Sequence, residues 1–70
     1  MKYNKLFGKI VEVYGTRKAF AEAIDDAQQT IANKLNGNVK FYADDIEKYC
    51  KALDIPASDI PAYFFGKEVK

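Results

Sequence analysis

The chain has 70 residues, 49% of them hydrophobic and 30% charged, and a formal net charge of +1 at neutral pH, a balance that gives one folded domain relying on an economical helical core. A single cysteine and no histidine exclude an internal disulfide and a zinc site, and leave no side chain suited to acid–base work near neutral pH. No apolar run approaches the about 18 residues of a membrane span and the first residues lack a signal-peptide pattern, so the expected setting is a reducing cytosol with no membrane partner.

Tyr3, Leu6, Phe7, Ile10, Val13 and Tyr14 recur at offsets of three and four, which is one face of a first helix. Gly15 ends it in left-handed geometry, and the Thr16 hydroxyl caps a second helix over residues 17–24. That helix turns Phe20, Ala21 and Ile24 inward and Arg17, Lys18 and Glu22 outward. The small Ala21 permits a close crossing with the next helix. The break at Asp25-Asp26-Ala27 contains no glycine, but aspartate tolerates left-handed backbone, and Asp26 followed by Gln29 reads as a capping box.

A third helix is expected over residues 27–36, held by Ile31 and Leu35 and leaving Gln28, Gln29, Thr30, Asn33 and Lys34 to face outward. Asn36-Gly37-Asn38 stops it, and the connector over residues 39–42 returns Phe41 to the core. Asp44 or the residue before it caps a fourth helix, whose Ile46, Tyr49, Cys50 and Leu53 form an amphipathic stripe. Ile55-Pro56 ends that helix. Ser58 starts a last short helix with Pro61 in its first turn and Ile60, Phe64 and Phe65 packing back. Two adjacent aromatics near the end of so small a domain are hard to hide together, and an exposed one marks a partner surface. With no repeat, linker or period-two strand, the reading is an all-α compact bundle of five short helices: a single domain over residues 1–66 and a flexible tail over residues 67–70.

The same pass argues against an enzyme. The carboxylates fall at caps and on exposed faces, no glycine-rich loop offers a phosphate cradle, and Cys50 sits on an apolar stripe, where a thiol is inert. No cofactor is implied. Charge is unevenly spread: residues 1–24 carry five basic and two acidic side chains, a mild bias compatible with phosphate contact.

Phe20-Ala21-Glu22-Ala23-Ile24, three intervening residues, Gln28-Gln29-Thr30-Ile31 and then Lys34-Leu35-Asn36-Gly37 resemble the helix-turn-helix of the phage repressor and Cro family. Val39-Lys40-Phe41, Asp45-Ile46 and Leu53-Asp54-Ile55-Pro56 extend the likeness to small Cro-like and modulator-of-repression regulators of temperate phages of Gram-positive bacteria. The resemblance implies a repressor-like helix-turn-helix fold and a transcription regulator of the lytic/lysogenic switch, acting on double-stranded operator DNA in the cytoplasm of the bacterial host. It places base reading on Gln28, Gln29 and Asn33. Their amides carry a donor beside an acceptor, the pattern that grips adenine in the major groove, although outward polar residues on any soluble helix look alike. Thr30 and Lys34 reach the backbone or a neighbouring base, and Arg17, Lys18, Asn38 and Lys40 are the phosphate contacts. Because one short helix reads few base pairs, a homodimer is expected.

One departure opens a second reading. The family usually has glycine and an apolar residue in the turn, where this chain has Asp25 and Asp26. Carboxylates at the start of the reading helix repel phosphate. With Gln28 and Gln29 they suit instead the basic DNA-binding surface of a partner repressor, as in Cro-like modulators or antirepressors that act by protein–protein contact.

Overall fold

A computed structural model describes residues 2–65 of the chain. The expected tail over residues 67–70 lies outside them. Local signals set most of the helix boundaries. Helix α1 (Asn4–Tyr14) ends at Gly15, whose φ of 83° admits the turn and whose N–H donates to the Val11 carbonyl. Helix α2 (Arg17–Ala23) opens on Thr16, whose hydroxyl accepts from the Ala19 N–H at 3.0 Å. Helix α3 (Gln28–Leu35) is closed by Gly37 at φ 84°, with the Asn38 N–H reaching back to the Asn33 carbonyl. Helix α4 (Ala43–Leu53), a 3-10 turn (Ala57–Asp59) and helix α5 (Ile60–Phe64) complete the chain. The described residues are all-helical and contain no strand.

Helix α1 is the hub. It packs against each of the other four α-helices with Leu6 and Ile10 fully buried. Phe20, Ile31, Leu35, Tyr49 and Leu53 close the core around them, also at 0% exposure. Ala21 is buried as well, where α2 meets α3. Phe41 returns to the core as expected and stands edge-on to Tyr3, Tyr49 and Phe64, with ring centroids 5.1–5.3 Å apart, a favoured aromatic geometry. Two longer-range hydrogen bonds fasten the ends: the Tyr3 N–H to the Leu35 carbonyl at 3.0 Å, and the Tyr14 hydroxyl to the Ala52 carbonyl at 2.8 Å. Burial, with Asp26 and Asp45 nearby, pushes the Tyr49 hydroxyl well above its ordinary value, so this ring stays neutral in the core.

Several boundary expectations need correction. Val13 is exposed rather than part of the inner face of α1, because the inward stripe runs through Leu6, Ile10 and Tyr14 at i, i+4 spacing and leaves Val13 on its flank. Asp26 and Gln29 form no capping box: Asp26 accepts instead from the Ala27 N–H at 3.0 Å, and Ala27 precedes the first turn of α3. Asp44 does not cap α4. The helix opens after Tyr42, whose N–H donates to Asp45 at 3.0 Å. It ends because Asp54 takes left-handed backbone, φ 56°, and lets the Ile55 N–H close on the Cys50 carbonyl, a turn made two residues before Pro56 could act. Ser58 caps nothing. It lies inside the 3-10 turn that precedes α5, whose first turn does hold Pro61. Phe64 is buried, while Phe65 stays exposed.

Candidate nucleic-acid interface

The turn between α2 and α3 is built from backbone closure. Asp25 adopts φ 55°, and two hydrogen bonds run back into α2, from the Asp25 N–H to the Glu22 carbonyl and from the Asp26 N–H to the Ala21 carbonyl. That pair is the Schellman closure, normally made with glycine at the left-handed position. It turns the chain through a few residues and delivers α3 against α1 and α2. Ile31 and Leu35 anchor one side of α3, as the spacing predicts.

Gln28 and Gln29 are exposed, and Thr30 and Asn33 are half-buried beside them. The Gln29 side-chain amide donates to the Asn33 side-chain oxygen at 3.1 Å. The bond fixes one side chain against the other across a turn of helix and leaves the Gln29 oxygen and its second N–H available. An amide held in this way can accept and donate at once to a planar ligand edge without first losing its rotational freedom.

Lys34 does not belong to this edge. Expected to face outward, it is instead buried, and its ammonium donates to Asp45 of α4 at 2.8 Å. Burial alone would raise the Asp45 carboxyl, but Lys34 and the Tyr42 N–H hold it below its ordinary value. Ile31, Lys34 and Leu35 stand at i, i+3 and i+4, so helical spacing alone put Lys34 on the inner stripe. Its side-chain type argued otherwise, and the partner that makes burial tolerable comes from another helix.

The remaining cations flank the edge from outside α3. Lys18 in the first turn of α2 is exposed; Arg17 is half-buried with its Nε enclosed. Asn38 and Lys40 are exposed in the connector after α3. One neighbour was not foreseen: Lys2 lies across Gly37, where an added Cβ would stand 2.7 Å from its Cδ. Gly37 is thus fixed both by its left-handed backbone and by this close approach, and Lys2 brings a further cation to the end of α3. No sequence signal could reveal it, because the contact follows from the Tyr3–Leu35 backbone bond.

Of the two turn carboxylates, that of Asp26 is engaged. Asp26 is half-buried, with one oxygen on the Ala27 N–H and the other 4.0 Å from the Lys48 ammonium of α4. Asp25 is exposed and lines a concavity with Tyr14, Lys48 and Lys51. The charge of Asp26 is therefore partly offset by Lys48 of α4, whereas Asp25 enters no ion pair among the described residues. Among the described residues no cluster of acidic and cysteine side chains could hold a metal ion, and no helix is long and apolar enough to cross a membrane.

A family model described as "Protein of unknown function (DUF739)" matches residues 1–67, and the chain belongs to that family. No curated protein matches the chain.

Proposed function

We propose that this DUF739 member is a DNA-binding transcription regulator of the phage repressor and Cro type, with α2 and α3 as its helix-turn-helix and α3 as the helix that enters the major groove of operator DNA. The reading is carried by one observation: the exposed edge of α3 holds Gln28 and a Gln29–Asn33 pair already hydrogen-bonded to each other, while Asp26 of the turn beside it lies 4.0 Å from the Lys48 ammonium. Pre-ordered amides suit adenine, and a partnered Asp26 weakens the repulsion that the bare sequence suggested. Arg17, Lys18, Asn38 and Lys40, with Lys2, would position the helix through phosphate contacts. In a temperate phage such a protein would act in the host cytoplasm on the choice between lytic and lysogenic growth.

The withdrawal of Lys34 favours a second reading. It leaves the α3 edge without a free cation, and an uncharged amide-rich helix also fits the surface of another protein. In that case the chain is a modulator that binds a partner repressor. Asp25, Asp26, Gln28 and Gln29 would not act as one acidic surface, since Asp26 is engaged by α4.

A titration of the purified protein against the promoter DNA beside its own gene, with and without the neighbouring repressor and at two salt concentrations, separates the two. Binding by the protein alone that weakens steeply with salt is the expected result. A shift seen only when the repressor is present would replace the operator reading with the modulator reading.

A further inference from the structure

We propose that Val39 reads the 5-methyl group of a thymine at the C-terminal end of the α3 edge, so that an adenine under the amides is followed in the operator by a thymine under this valine. The inference rests on the operator reading above and extends it from adenine to a second base. Val39 is 40% exposed in the connector between α3 and α4. The connector's contribution to the core is made by Phe41, two residues on, so the core does not explain an apolar side chain at position 39. The backbone of Val39 is nonetheless fixed. The N–H groups of Asn38 and Val39 both donate to the Asn33 carbonyl, at 2.9 and 3.3 Å, which ties residue 39 to the residue whose side chain completes the amide edge.

The surroundings select the ligand. Asn38 and Lys40 on either side of Val39 are exposed, and Lys2 lies across Gly37, so the valine stands among polar and cationic groups suited to a DNA backbone. The apolar feature that a base edge offers in the major groove is the thymine methyl group. An edge of amides suited to adenine brings A·T pairs to this helix, and every such pair carries one methyl. A branched aliphatic side chain can cover it without leaving a polar group of either partner unpaired. Because its backbone is held on the Asn33 carbonyl, Val39 would meet the base pair next to the one that the Gln29–Asn33 pair engages, and the two contacts together would read a step rather than a single base.

Uracil in place of thymine removes the 5-methyl group and leaves base pairing intact, so the contact can be probed with the full wild-type chain. Once the binding site on the promoter DNA beside the gene has been located, its thymines are replaced one at a time. One replacement, beside an adenine, is expected to weaken the wild type about three- to fivefold, the transfer value of one methyl group. Val39→Ser should lose a similar factor on the thymine site and bind the thymine and uracil sites equally, while Val39→Ile should keep the preference for thymine. Residue 39 is exposed, so the variants keep their fold, which thermal unfolding checks. A wild type indifferent to uracil at every position overturns the inference; with a uniform loss on Val39→Ser, it would mean that the valine covers sugar rather than base. A thymine preference that survives Val39→Ser overturns it too, and would place the contact on Thr30 or Tyr42. DNA binding without this methyl dependence removes the inference alone, whereas a chain that binds no promoter DNA removes the operator reading and the inference with it.

Discussion

Lys34 and Asp45 form a charge-assisted hydrogen bond in which both side chains are largely enclosed, at 9% and 19% exposure. Removing the cation leaves a partly buried carboxylate with only the Tyr42 N–H to satisfy it, which costs more than the bond is worth in isolation. Lys34→Met, which keeps the buried stem, is expected to lower stability by about 2 kcal/mol in urea unfolding at pH 7. The pH dependence follows from the direction of the Asp45 shift. A carboxyl held below its ordinary 3.8 stabilises the fold fully above that value, and the contribution is lost as pH falls through the lower folded value. The difference between wild type and Lys34→Met should therefore shrink as the medium is taken down to about pH 2. A deficit that stayed constant on acidification would mean that Lys34 acts through its stem rather than its charge.

The α2–α3 turn shows how far an element can be read without its neighbours. Gly15, Thr16, Phe20, Ala21, Ile31 and Leu35 signal their roles through spacing and residue type alone, because capping and helical faces are local. Asp25 was legible for the same reason: a short polar side chain is tolerated at left-handed φ. Asp54 uses the same device, yet the proline two residues on gave a stronger signal that masked it. The direction of Asp26, the partner that lets Lys34 stay on the inner stripe its spacing gives it, and the place of Lys2 were not legible, since each depends on a group delivered by another part of the fold. Of the candidate interface, then, the exposed glutamines could be read in the sequence, and the electrostatics around them could not. Left-handed backbone still costs aspartate more than glycine. Asp25→Gly is expected to raise stability by about 0.5–1 kcal/mol in thermal or urea unfolding, and Asp25→Val to lower it by more than about 1 kcal/mol, because a β-branched side chain is strained at φ 55°. Equal stability of the two variants would show that the closure of α2 does not depend on this conformation.

At the scale of the molecule, the near-zero net charge conceals a division of labour. Three of the five acidic groups of the turn and of α4 face a lysine: Asp26 faces Lys48, Asp45 holds Lys34, and Glu47 sits near Lys51. Lys2, Arg17, Lys18 and Lys40 enter no ion pair among the described residues, and they lie before and after α3 in the chain. If α3 reads DNA, binding should therefore be more salt-sensitive than a charge of +1 suggests. Each phosphate neutralised contributes about −0.9 to the slope of log affinity against log salt, so contacts from these four cations give about −3.6 per bound chain. Lys18→Ala with Lys40→Ala should flatten the slope by about 2 and weaken binding to every sequence alike. Gln29→Ala should leave the slope unchanged and instead cost about 1–3 kcal/mol at the operator, with less lost on unrelated DNA. The two kinds of change then report on separate parts of one surface, cations that position and amides that discriminate. A slope unaffected by the lysine variants, or a Gln29→Ala effect equal on operator and unrelated DNA, would remove α3 and its flanks as the DNA-reading face and leave the partner repressor as its target.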